Sequence, residues 1–113
     1  MAALVFGAAT ACKGKPDATK AQSDLEARCE ELAKACGDND KHVAKLLDEC
    51  KLAAKTQAEK GCAAKATAAY DCYEKNLCGK ADKVWALDDL RVLADRKSQC
   101  VTERTAASEC VGK

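Results

Sequence analysis

From residue 23 onward the apolar positions recur at helical spacing. Leu25, Cys29, Leu32 and Cys36 follow one another at steps of four, three and four, which places them on one face of a helix. Ser23 and Glu26 stand in the capping-box arrangement, where each side chain satisfies an otherwise orphan backbone N–H. The helix is therefore expected to start at Ser23, with Gly37 as a natural stop. The turn Gly37-Asp38-Asn39-Asp40 leads to a second helix, with Asp38 or Asp40 as cap. Val43, Leu46, Leu47, Cys50, Ala53 and Ala54 form its buried stripe.

Gly61 leaves two readings open. It ends the second helix, or it lies inside one long helix from about Asp40 to about Leu77 at a cost near 1 kcal/mol. The alanine-rich run from Cys62 to Tyr70 is strongly helical, Gly79 closes it, and Asp82 is placed to cap a last helix. There Val84, Leu87, Leu90, Leu93, Cys100, Val101, Ala107 and Cys110 follow at roughly helical spacing. No stretch alternates with a period of two, so no sheet is expected. The pattern predicts an all-α fold, a disulfide-stapled antiparallel bundle of three or four helices over residues 23–113.

Composition explains why staples are needed. The chain of 113 residues has no isoleucine, one Phe, one Trp and two Tyr, and much of its 48% hydrophobic fraction is alanine. Alanine favours helix but buries little area, so a domain this small needs another source of stability. The net charge of +1, from 19 basic and 18 acidic residues, gives no electrostatic reason to expect nucleic acid as a partner.

Nine cysteines supply the staples: Cys12, Cys29, Cys36, Cys50, Cys62, Cys72, Cys78, Cys100 and Cys110. At this density in a short chain they point to disulfides and an oxidising compartment. Zinc sites favour closer thiolates, often with histidines. The closest spacing here is Cys72 to Cys78, and His42 is the single histidine. No metal and no other cofactor is expected.

The odd cysteine has an explanation at the N-terminus. Residues 1–11 (MAALVFGAATA) carry no charged side chain and are too short for a membrane-spanning helix, which takes about 20 residues. They fit the apolar region and small-residue cleavage site of an export signal. Ala9-Thr10-Ala11-Cys12 resembles the lipobox of bacterial lipoproteins. That resemblance implies cleavage before Cys12, lipidation of its thiol, and a cell-envelope address in the outer membrane or periplasm. Lipidation would leave eight cysteines, an even number. The same letters also suit ordinary export as a soluble secreted protein, or a ragged helix end with Cys12 as a free thiol. Residues 12–22, with Lys13-Gly14-Lys15-Pro16 at their head, read as a flexible tether.

Eight cysteines allow 105 pairings. Antiparallel helices pair residues symmetric about their turn, and this suggests Cys29 with Cys50 across the Gly37–Asp40 turn and Cys62 with Cys100 across the Gly79–Asp82 turn. Cys72 with Cys78 and Cys36 with Cys110 are what remains. A different pairing comes from the two C-x9-C segments, Cys62 to Cys72 and Cys100 to Cys110. They resemble the twin C-x9-C helical hairpins of coiled-coil-helix proteins, which serve as assembly factors or disulfide carriers. The resemblance implies Cys62 with Cys110 and Cys72 with Cys100.

Chemistry-bearing patterns are scarce. His42 shares its segment with no nucleophile and reads as an exposed polar residue. Asp88 and Asp89 are adjacent on a helix and point about 100° apart. Trp85, beside Val84 and Leu87, reads as core, or else as an anchor for a protein partner. No phosphate loop, nucleophile elbow or zinc-protease motif occurs, and no enzymatic activity is expected. The expected function is a non-catalytic envelope lipoprotein, a binding or structural module that meets the membrane through its lipid and a protein through a helix face. The alternative is a thiol–disulfide carrier or assembly factor.

Overall fold

The computed structural model describes residues 17–79 and 83–112. Cys12, the segment 1–11 and Asp82 lie outside them. Five helices follow in order: α1 (Asp17–Cys36), α2 (Asp40–Glu59), α3 (Ala63–Asn76), α4 (Leu87–Lys97) and α5 (Val101–Gly112). Among the described residues there is no strand; one isolated bridge joins Gly37 to Val84. The fold is an all-α bundle, with five helices where three or four were expected.

The boundaries show why. α1 begins at Asp17, so residues 17–22 of the expected tether are helical and Ser23 is not the cap. Ala18, Lys20, Ala21 and Gln22 are good helix formers. Contacts one turn apart brace them, Lys20 with Asp24 at 3.0 Å and Gln22 with Glu26 at 3.2 Å. The cap of α2 is Asn39 rather than either aspartate, its Oδ1 accepting from the His42 N–H at 3.0 Å. Gly61 ends α2. It takes φ +72°, and the Cys62 and Gly61 N–H groups donate back to the Gln57 and Ala58 carbonyls at 2.7 and 3.1 Å. That paired closure is a Schellman motif, which favours a glycine in the left-handed region.

The expected last helix is two. The Asp89 carboxylate accepts the Trp85 and Ala86 N–H groups, both at 3.1 Å, and fixes the start of α4. The chain then reverses through Ser98 (φ 54°) and Cys100 (φ 60°) before α5.

Four disulfides tie these helices together. Cys29 bonds Cys50 with Cα atoms 5.7 Å apart, as the first hairpin predicts. The other three geometric expectations are corrected. Cys62 bonds Cys110 rather than Cys100, at 5.9 Å, and Cys72 bonds Cys100 rather than Cys78, at 5.8 Å. Cys36 bonds Cys78 rather than Cys110, at 4.8 Å. The cause is the break at Ser98–Cys100: α5, not the segment that starts at α4, runs back along α3. Both α3–α5 bridges are centred on Ala86, the register that the twin C-x9-C resemblance implies.

Half-cystines fill core positions that larger side chains occupy elsewhere. Cys29, Cys36, Cys50 and Cys62 are buried among Leu25, Leu32, Leu46, Leu77 and Leu90. On the flank, Arg28 of α1 binds Asp71 at 2.6 Å and Glu74 at 2.7 Å on α3. Burial alone lowers the pKa of this guanidinium, but the two carboxylates outweigh it and raise the pKa. α5 contributes no buried residue; it is fastened from outside.

Four bridges mark a protein that folds and persists in an oxidising, non-cytoplasmic setting. Among the described residues no helix is long and apolar enough to cross a membrane.

Candidate functional site

The gap between α2 and α5 is a cleft of about 610 Å³. That volume lies in the range of small-molecule sites, about 300–1,000 Å³. α3 forms its floor with Ala66, Ala69, Tyr70 and Tyr73. One wall is α2, through Leu52, Ala53 and Gln57, and the other is α5, through Arg104, Ala107, Ser108 and Val111. Leu87, Asp88 and Arg91 of α4 close one end beside Glu49. The cleft exists because alanines stand where leucines would have filled it.

Polar straps tie α2 to α5 at one end of the cleft and to α4 at the other. At one end the Lys60 ammonium donates to the Val111 carbonyl at 2.7 Å, a cation on one of the carbonyls left unpaired near a helix C-terminus. At the other end the Leu87 N–H donates to Glu49 Oε1 at 2.8 Å. This bond, with a smaller contribution from Lys45, holds the Glu49 carboxyl below its usual range. Across the floor, Gln57 Nε2 donates to the Tyr70 hydroxyl at 3.0 Å. Burial pushes the Tyr70 phenol up in pKa.

The α4 end of the cleft has a different character. Burial pushes the Tyr73 hydroxyl up to about 12, against a smaller opposing pull from Arg104, so it remains a protonated donor at neutral pH. Arg104 gives Nη2 to Asp95 at 2.8 Å, while its buried Nε has no hydrogen-bond partner. Arg91 gives Nε and Nη2 to Asp88 at 2.9 and 3.2 Å.

The residues singled out in the sequence are scattered around this cleft rather than gathered in it. Asp88 pairs with Arg91 on the rim, while Asp89 caps α4 on its own helix. His42 is away from the cleft, half-buried, with its ring stacked on Trp85 at 4.9 Å and 20° between planes. Trp85 is 63% exposed and does not belong to the core; Val84 takes the inward position beside Gly37. Among the described residues no group of three or more His, Cys, Asp or Glu is placed to hold a metal ion. Leu52, 76% exposed at the lip, is a cleft residue that the sequence could have flagged for its exposure. It lies off the buried stripe of α2, a large apolar side chain with no core to enter.

No family model matches the chain, and neither a curated protein nor a solved structure shows significant similarity to it.

Proposed function

We propose that this chain is a non-catalytic binding module of a bacterial cell envelope, held at the membrane by lipid on Cys12 and receiving its ligand in the α2–α3–α5 cleft. The observation that carries the reading is the cleft itself: a largely apolar hollow of about 610 Å³, tied at both ends by a polar strap, in a fold locked by four bridges. A rigid frame around an unfilled space lowers the ordering cost of binding. The lipobox-like Ala9-Thr10-Ala11-Cys12 supports the anchor, and the four bridges suit the oxidising outer membrane or periplasm. Leu52 and Trp85, the two most exposed large apolar side chains among the described residues, are ones that a protein partner would reach.

Intact mass spectrometry of the protein from its native host tests both halves of the proposal. Under denaturing conditions the mass should correspond to a chain beginning at Cys12 with two or three acyl chains, because one chain alone binds membranes only marginally. A chain retaining residues 1–11 would exclude export, and a cleaved chain without acyl groups would make the protein soluble and secreted. Under native conditions a small molecule should ride with the folded protein. A bare chain in membrane-extracted material would count against the cleft as the working site.

The pairing of Cys62 with Cys110 and Cys72 with Cys100 favours a second reading, the thiol–disulfide carrier or assembly factor. Cys72 and Cys110 are half-buried rather than sealed, so a partner thiolate can approach one sulfur of each bridge. Redox titration separates the two roles. A carrier bridge should equilibrate with glutathione near about −200 mV, whereas structural bridges sit below about −300 mV.

A further inference from the structure

We infer that the Cys72–Cys100 bridge is an exchange site, opened by an external dithiol while the other three bridges stay closed, with Asn76 steadying the sulfur that is set free. The assignment goes beyond the binding-module reading and deepens the carrier reading by naming the bridge on which it turns. Burial sets this bridge apart. Cys29 and Cys50 are both sealed, at 0% and 1% exposure, and each of the next two bridges has one member sealed as tightly, Cys36 at 0% and Cys62 at 1%. Cys72–Cys100 has no such member. Cys72 is half-buried, Cys100 is 7% exposed, and Gln99 and Val101 on either side of it are exposed, as is Asn76.

Two further features converge on the same bridge. The reversal that carries Cys100 is strained: Ser98 and Cys100 take φ 54° and 60°, the left-handed region that a Cβ makes costly. α4 holds one side of this reversal through its buried Leu90, Leu93 and Ala94, and the bridge to α3 holds the other. Such conformations persist only where the surroundings enforce them, so opening the bridge lets the backbone relax. Bridges that are exposed or strained are the ones that exchange. The second feature is the Asn76 amide. Its Nδ2 donates to the Cys72 carbonyl at 3.1 Å and to Cys72 Sγ at 3.3 Å, and it lies 4.0 Å from Cys100 Sγ. A sulfur that turns from half-cystine into thiolate gains a charge, and a hydrogen bond to the charged form favours it.

The exchange proceeds in two displacements. One thiolate of the dithiol attacks Cys72 Sγ and bonds to it; the Cys72–Cys100 bond breaks and its electron pair leaves on Cys100 Sγ, beside the Asn76 amide. The second thiolate then attacks the dithiol sulfur of the mixed disulfide, and Cys72 leaves as a thiolate that accepts from Asn76 Nδ2. The dithiol ends as a disulfide, and the bridge ends as two thiols holding the two protons the dithiol released. Cys62–Cys110 and the Lys60–Val111 contact keep the far end of α5 attached.

The test uses the full oxidised chain carrying Cys12→Ser, treated with a small excess of dithiothreitol. Samples are quenched at intervals with acid and N-ethylmaleimide and mapped by peptide mass spectrometry. Cys72 and Cys100 should label first and together, about tenfold faster than any other pair, with the other six cysteines still bridged. Asn76→Ala should slow this opening about tenfold and move the alkylation of reduced Cys72 to higher pH. A merely structural role would leave that pH profile in place. Asn76→Asp, which keeps the shape but trades the donor for a negative charge, should slow the opening further. Another bridge labelling first overturns the assignment and leaves the carrier reading standing on that bridge. All four bridges opening together, or none before the chain unfolds, overturns both. An Asn76→Ala protein that opens and titrates as the parent does overturns the role of Asn76. If that variant fails to fold, Asn76→Asp and the map of the parent protein decide.

Discussion

Arg28 Nε lies 2.6 Å from Asp71 Oδ1, a contact between α1 and α3 near the middle of both helices. The same guanidinium reaches Glu74 at 2.7 Å and Glu31 at 3.0 Å, and its side chain is only 14% exposed. Removing it leaves three carboxylates facing one another. Arg28→Ala should lower stability by about 1–3 kcal/mol. Asp71→Ala, which removes one well-exposed partner of several, should cost less than about 1 kcal/mol. Urea unfolding of the two variants checks the difference, and equal losses would mean that Arg28 acts through packing alone.

α5 should be the first element to come loose when its bridges are removed. It has no buried residue, and a helix of 12 residues is marginal on its own. Replacing Cys62, Cys72, Cys100 and Cys110 by alanine should abolish hydrogen-exchange protection in α5 and leave α1 and α2, joined by Cys29–Cys50, protected. Protection retained across α5 would show that the Lys60–Val111 and Arg104–Asp95 contacts suffice to hold it.

Reduction of all four bridges should have the wider effect. Half-cystines occupy core positions here, and removing native bridges from small secreted domains often abolishes folding at about 37 °C. Circular dichroism with and without reductant reads this directly; a cooperative melt of the reduced chain would contradict it.

The first bridge shows how far local signals carry. Cys29–Cys50 spans a turn marked by Gly37 and Asn39, so its register can be derived from spacing alone. The α3–α5 register cannot. It depends on a reversal through Ser98 and Cys100, which adopt left-handed backbone without being glycine or asparagine. Leu90, Leu93, Cys100 and Ala107 keep an approximate helical period across that break, which hides it. Trp85 and Val84 are adjacent, and composition does not say which of the two turns inward. The cleft is hidden for a related reason: alanine spacing reports a helix face, whereas the hollow between α2 and α5 arises only when three helices meet.

Acid should weaken the strap between α2 and α4. The Glu49 carboxyl is held below its usual value of 4.5, first by the Leu87 N–H and then by Lys45. A group whose folded pKa is depressed contributes fully above the unfolded value and loses that contribution as pH falls through the folded one. Stability should therefore decline as pH drops from about 4.5 downward, and Glu49→Gln, which keeps an acceptor but no charge, should flatten that part of the curve. Parallel curves for the two proteins would show that other carboxylates dominate.

Gly61 should resist substitution for conformational reasons alone. A Cβ there meets nothing within 4 Å, yet φ is +72°. Gly61→Ala should cost about 1–2 kcal/mol from the left-handed backbone, and Gly61→Asn, which tolerates that region better, should cost less. A thermal melt ranks the three; an alanine variant as stable as the parent would mean that the α2–α3 turn can reclose with another geometry.

The bridges overlap along the chain instead of following one another: 36–78 begins inside 29–50 and ends inside both 62–110 and 72–100. Every peptide bond from Cys29 to Cys110 is therefore spanned by at least one bridge. A protease that cuts once anywhere in that interval, the exposed Gly79 and Lys83 included, nicks the protein without releasing a piece. The cleaved molecule keeps both fragments and gains only the mass of one water, and the damage shows only when the sulfurs are reduced.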